Sequence, residues 1–178
     1  RLVSDWSSDV CSSDLEGAQW FVSGVEISGV NLRDFEYLSG LLQTAEGQPF
    51  SETALVSDRD TILNFYFNSG YPDATLELKT VPGPGEREMQ VKFEVIEGRR
   101  NFVRRVMVSG FNTTRPRLIF DRIPLETGDP LSQSAVVDAQ RRLYDLGIFA
   151  KVDIALQNPQ GKERDKNVLY RLEEASRY

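Results

Sequence analysis

Gly47-Gln48-Pro49-Phe50-Ser51 decides the fold, because the same five-residue pattern returns 81 positions later as Gly128-Asp129-Pro130-Leu131-Ser132. Each stretch combines a glycine for a left-handed turn, a proline, an apolar residue and a serine suited to cap a helix N-terminus. With Ser51 as N-cap, Phe50 and Leu55 take the places of a hydrophobic staple, and with Ser132 the pair is Leu131 and Val136. Two helices are therefore expected to leave two equivalent turns at the same angle. They run on through Leu55, Arg59, Ile62, Leu63 and Tyr66, or Val136, Ala139, Leu143 and Leu146, and Gly70 and Gly147 stand where a C′ glycine ends a helix.

The match extends outward from the turns. Upstream at the same offset, Glu16-Gly17 lies on Glu97-Gly98, Phe21-Val22 on Phe102-Val103 and Ser28-Gly29 on Ser109-Gly110. Downstream, after a shorter helix end in the second copy, Gly70 lies on Gly147, and Val91, Phe93, Val95 and Glu97 lie on Val168, Tyr170, Leu172 and Glu174. A repeat of this length is one supersecondary unit used as a building block.

Each copy opens with a strand, Phe21 to Ile27 or Phe102 to Val108, whose alternation predicts one buried face and whose end is a Ser-Gly turn. A short helix follows, carried by Phe35, Leu38 and Leu41/Leu42 in the first copy and by Ile119 and Ile123 in the second, where Pro116 suits the first turn and Pro124 closes it. After the second helix come two strands: Ala74 to Lys79 and Val91 to Ile96 around a Pro82-Gly83-Pro84-Gly85 hairpin loop, then Lys151 to Leu156 and Asn167 to Glu173 around Asn158-Pro159-Gln160-Gly161. The class is α+β: tandem β-α-α-β-β modules over 16–98 and 99–178, each a three-stranded mixed sheet with two helices on one face. A unit of about 80 residues buries only about 60 to 65% of its unfolded surface, so packing against a neighbour helps it. Glu16-Gly17 reads as the end of an earlier copy, and at least one further module is expected upstream.

Residues 5–15, Asp-Trp-Ser-Ser-Asp-Val-Cys-Ser-Ser-Asp-Leu, are what a common sequencing adapter encodes when translated in frame, and 1–15 is set aside as an artefactual or disordered leader. Without it the chain carries 24 acidic and 20 basic residues and loses Cys11, its single cysteine. With no other cysteine and no histidine, zinc fingers, thiol nucleophiles, Ser-His-Asp triads and imidazole metal sites are excluded, and no cofactor is expected. The acidic balance, with no basic run longer than two residues, argues against nucleic acid. An RNA-clamping Gly-x-x-Gly loop is also missing: the segments between the helices, Glu46-Gly47-Gln48-Pro49 and Glu126-Thr127-Gly128-Asp129, hold one glycine each among carboxylates. Nor is an enzyme expected, since Glu173 and Glu174 point to opposite faces of a strand and Glu86 and Glu88 lie in a loop.

The ordered set of features, taken twice, carries a resemblance. A strand ends in Ser28-Gly29-Val30-Asn31 or Ser109-Gly110-Phe111-Asn112; the Gly-x-Pro-x-Ser turn precedes helix two; a glycine is followed by Tyr71 or by Ile148-Phe149; and the last strand closes in Glu97-Gly98 or Glu174-Ala175. This pattern resembles the POTRA (polypeptide-transport-associated) domain of the BamA/TamA superfamily of outer-membrane insertases and translocases, over residues 16–178. The final Glu173 to Tyr178 resembles the hand-over from a last such domain into a membrane β-barrel, with Ala175 replacing the glycine.

The resemblance implies a location at the periplasmic face of the bacterial outer membrane. Its implied partners are unfolded outer-membrane or secreted polypeptides, accessory periplasmic or lipoprotein subunits, a neighbouring POTRA domain and a C-terminal barrel. The implied mechanism is β-augmentation, in which a client strand adds to a sheet edge. With the third strand of each module central, the edge candidates are Ala74, Thr75, Leu76, Glu77, Leu78 and Lys79, and Lys151, Val152, Asp153, Ile154, Ala155 and Leu156. Charges such as Lys79, Lys151 and Asp153 also have the ordinary role of guarding edges against aggregation. The joint between modules is placed at Glu97, Gly98, Arg99 and Arg100; its arginines, with Arg104 and Arg105, either touch lipid headgroups or an accessory protein, or simply solvate a hinge and pair with Glu94 and Glu97. The alternative within the same fold is a two-partner secretion transporter or a docking scaffold that inserts no barrel.

Overall fold

The structure, a computed structural model, describes residues 19–157 and 159–175. The expectations for the leader 1–15, for Glu16-Gly17, for Asn158 and for Ser176 to Tyr178 fall outside those residues. The first module runs β1 (Phe21–Ser28), α1 (Leu32–Leu41), α2 (Glu52–Asn68), β2 (Thr75–Pro82) and β3 (Glu88–Ile96). The second runs β4 (Phe102–Ser109), α3 (Pro116–Phe120), α4 (Gln133–Tyr144), β5 (Phe149–Leu156) and β6 (Asp165–Glu174). The sheets are ordered β1-β3-β2 and β4-β6-β5, with the first strand parallel and the second antiparallel to the central last strand. Alternation on those central strands buries Val91, Phe93 and Val95 in one core and Val168, Tyr170 and Leu172 in another.

The repeated pentapeptide owes its pattern to a main-chain clasp. The Gly47 N–H donates to the Val22 carbonyl and the Val22 N–H to the Gln48 carbonyl, both at 2.8 Å. Gly128, Val103 and Asp129 repeat the pair at the same distances. Gly47 and Gly128 sit at φ 81° and 95°, in the left-handed region that a side chain disfavours. The serines then cap as expected, Ser51 accepting from the Ala54 N–H at 3.4 Å and Ser132 from the Ala135 N–H at 3.2 Å.

The copies differ where the offset falls from 81 to 77, and the missing four residues are about one helical turn of α4, which has 12 residues against 17 in α2. Removing a whole turn keeps the buried face in phase: Leu55, Ile62 and Tyr66 in α2, and Val136, Ala139 and Leu143 in α4, all face their cores. Two expected boundaries need correction. Helix α3 stops at Phe120 and does not reach Ile123, because Arg122 and Ile123 turn back onto Ile119 and Phe120, and the residue before Pro124 is disfavoured in the helical region. Helix α4 stops at Tyr144 and does not reach Leu146, which bonds back to Leu143 in a tightened turn; Gly147, at φ 67°, then redirects the chain. Among the described residues, no helix is long and apolar enough to cross a membrane.

Candidate functional site: outer strands and the joint between modules

Strands β2 and β5 lie on the outside of their sheets. Thr75 to Lys79 fall within β2, whereas Ala74 precedes it and is buried, its N–H donating to the Tyr71 carbonyl at 3.3 Å. Leu76 and Leu78 pack on the core, and Glu77 and Lys79 stand on the other face, where the Lys79 ammonium meets Glu94 at 2.6 Å and Glu77 at 3.4 Å. Lys151 to Leu156 all belong to β5; Val152 is buried, Ile154 packs against the core, and Lys151 meets Asp153 at 2.7 Å. Hydrogen bonds to Glu94 and to Asp153 raise the Lys79 and Lys151 ammonium groups above their ordinary value. Exposed pairs of this kind contribute little to stability, so their effect is to keep charge beside the edge.

The opposite edges are partly covered. Pro49 bridges Phe21 at the start of β1 and Pro130 bridges Phe102 at the start of β4, and each strand carries a bulge just beyond. Among the described residues, no other main-chain segment bonds to β2 or β5 from outside their sheets. Beside β5 lies a groove of about 380 Å³ lined by Val137, Gln140 and Tyr144 of α4 and by Lys151 and Val152, with Val137 and Tyr144 50% and 57% exposed. The Gln140 side-chain amide donates to the Val152 carbonyl at 2.6 Å.

The joint is built by more residues than the four expected. Asn101, buried, donates its N–H to the Gly70 carbonyl at 2.6 Å and its carbonyl accepts from the Leu131 N–H at 2.9 Å, so the main chain of one residue ties the end of α2 to the turn before α4. The Asn68 side chain accepts from the Ser134 N–H at 3.0 Å and from the Ser132 hydroxyl at 3.4 Å, adding a cap to the start of α4 from the other module. A Cβ on Gly70 would stand 2.6 Å from the Asn101 carbonyl oxygen, which is why this glycine admits so close an approach. Among the described residues, the pairing of the joint arginines with Glu94 and Glu97, one of the two readings of these residues, does not form. Glu94 is taken by Lys79, whereas Arg100 donates to the Ser69 carbonyl at 2.9 Å and lies over Tyr71 and Phe102, and Arg99 donates to the Lys162 carbonyl at 2.7 Å. Gly98 adopts φ 74° against Asp73, and Glu97 leads into it.

A second polar device closes the far end of the second module. The Glu174 carboxylate accepts from the N–H groups of Asn112, Thr113 and Thr114 and from both threonine hydroxyls, at 2.8 to 3.2 Å. It borders a cleft of about 730 Å³ that Leu118 and Ile148 also line. Hydrogen bonds from Thr114, and then from Thr113, lower its pKa to about 2. Because the folded value is depressed, this contribution to stability is complete above the ordinary carboxylate value and is lost as pH falls through about 2. The amides of Asn112 to Thr114 are expected to hold their chemical shifts down to about pH 3 and to move with a midpoint near 2, and Glu174→Gln is expected to speed their hydrogen exchange at neutral pH. A midpoint near 4.5, the ordinary value, means that the carboxylate is not held this way.

Two copies of one module, joined through shared main-chain bonds and each with its second strand at a sheet edge, define a tandem array of α+β modules. The chain belongs to the POTRA family, whose model, described as a surface antigen variable number repeat, matches residues 21–98 and 102–175. Over 163 residues it is 25% identical to a protein of Treponema pallidum (strain Nichols) assigned as an outer membrane protein assembly factor, covering 91% of this chain and 19% of that protein. Over 129 residues it is 22% identical to the outer membrane protein assembly factor BamA of Nitratidesulfovibrio vulgaris, covering 72% of this chain and 16% of the relative. The chain thus spans about a fifth or less of the length of these relatives. Among solved structures, BamA from Haemophilus ducreyi lacking POTRA domains 1–3 matches with a TM-score of 0.73 and 25% identity, over 88% of this chain and 30% of that one. POTRA domains 3–5 of Haemophilus influenzae BamA share the fold with a TM-score of 0.62 and 20% identity, over 89% and 63%.

Proposed function

We propose that this chain is a non-catalytic piece of the periplasmic region of an outer membrane protein assembly factor, which captures unfolded β-barrel clients by adding their strands to β2 or β5. The observation that carries the reading is the strand order: in both sheets the last strand is central, so that the second strand is an edge to which no further strand is paired among the described residues. Similarity to the outer membrane protein assembly factor BamA of Nitratidesulfovibrio vulgaris and to BamA of Haemophilus ducreyi supports the assignment to assembly, and the reading adds a neighbouring POTRA domain and a C-terminal barrel as partners in the parent chain. The joint at Glu97 to Arg100 and the surfaces beside it are the reading's candidates for accessory periplasmic or lipoprotein subunits.

Strand addition at one edge is weak by construction. A six-residue strand spans roughly 20 Å and forms about three or four main-chain bonds, each worth about 1 kcal/mol net. These barely offset an association cost of at least about 4 kcal/mol. Weak capture suits a hand-over, because a client held tightly cannot be passed on. Titrating the chain with a peptide copied from one strand of an outer-membrane barrel is expected to shift the amides of Thr75 to Lys79 or of Lys151 to Leu156. Absence of shifts at millimolar peptide overturns the reading and leaves the modules as spacers or as docking sites for folded partners.

A further inference from the structure

The two outer strands are not equivalent, and the difference lies in one helix residue. On α4, Gln140 reaches across the groove and gives its side-chain amide to the Val152 carbonyl. At the equivalent place on α2 stands Arg59, whose guanidinium donates to Asp60 at 3.0 to 3.2 Å. A primary amide N–H is the same donor that a peptide bond offers, so Gln140 supplies from within the module what an added strand supplies from outside. Val152 has its side chain in the core and pairs with Leu172 of β6, which places its neighbours Lys151 and Asp153 on the other face. Val137 and Tyr144, both exposed, form the wall of the groove next to the amide.

We propose that Gln140 is an exchangeable guard of the β5 edge: it satisfies the Val152 carbonyl while the edge is empty, and a client main-chain N–H displaces it when a strand adds. The inference rests on the reading of client capture given above and deepens it in two ways. It selects β5 as the regulated edge, and it fixes the register, because the incoming N–H that replaces the amide is the one set opposite Val152. Once displaced, the Gln140 side chain opens the groove to an apolar side chain of the client, which Val137 and Tyr144 would flank. An empty edge with its acceptor already paired is also a poorer template for unwanted association.

The test is a titration of the chain and of its Gln140→Ala variant with the same barrel-strand peptide, following main-chain amides and the Gln140 side-chain amide. Alanine is a better helix former than glutamine at this half-buried position, so the variant keeps α4. Removing a neutral hydrogen bond that binding must break is expected to tighten the peptide about three- to tenfold. In the unmodified chain the Gln140 amide signals are expected to move with the same midpoint as those of Lys151 to Ile154. Shifts along β5 with equal or weaker affinity in the variant, or with a stationary Gln140 amide, overturn the guard while leaving client capture standing. Shifts confined to Thr75 to Lys79 do the same. A lack of shifts on both strands in both proteins overturns capture itself and the guard with it.

Discussion

Gly110→Ala is expected to unfold the second module at much lower denaturant, with a loss of at least about 3 kcal/mol. Gly110 closes β4 at φ 85°, and a Cβ there would stand 1.9 Å from the Leu172 carbonyl oxygen. That oxygen belongs to the central strand β6 and has strands on both sides, so it cannot retreat without disturbing the sheet. Gly29 repeats the arrangement against Val95 at 2.0 Å, and Gly29→Ala is expected to act alike on the first module. Gly128→Ala is the control, because its φ of 95° carries the same left-handed strain while a Cβ meets nothing within 4 Å. It should cost only about 1–2 kcal/mol. Hydrogen exchange read separately on the two sheets checks the comparison, and equal losses for Gly110→Ala and Gly128→Ala would refute the steric argument.

That contrast also explains what was legible in the sequence. Positions whose backbone demands a residue type, such as Gly29, Gly47, Ser51 and Pro49, repeat at fixed spacing, and they locate the turns, the caps and the order of elements. Alternation on β3 and β6 then identifies the buried strand of each sheet. The joint was less legible: Asn68, Gly70 and Asn101 act through main-chain groups or a single amide across modules, and their partners lie tens of residues away. Gln140 and Glu174 are hidden for the same reason, since a glutamine on a helix and a glutamate on a strand look like solvated surface until the fold brings Val152 and the Asn112 to Thr114 loop to them. The short α3 escaped because Ile123 is buried at helical spacing although its backbone has left the helix.

Asp58→Ala is the other change with a large expected effect. Asp58 is fully buried on α2, and its carboxylate accepts from the Gln43 N–H at 2.7 Å and the Thr44 N–H at 2.9 Å, pinning the loop that follows α1. Alanine leaves two main-chain donors without a partner, at about 1–3 kcal/mol each, so the first module should lose about 2–6 kcal/mol. The repeat supplies the compensating change. At the equivalent positions the second module has Ala139 for Asp58 and Leu125 for Thr44, and both are buried in one apolar cluster. One copy therefore holds this loop by hydrogen bonds to a carboxylate, and the other by apolar contact. Thr44 already has a buried hydroxyl without a hydrogen-bond partner among the described residues, so Thr44→Leu removes an unsatisfied group while adding apolar surface. Thr44→Leu combined with Asp58→Ala is expected to recover at least about 1 kcal/mol of the single variant's loss, appearing as coupling in a double-mutant cycle. Strictly additive effects would mean that the two modules do not exchange one device for the other, and that the loop in the second copy is held by something other than the Leu125 contact.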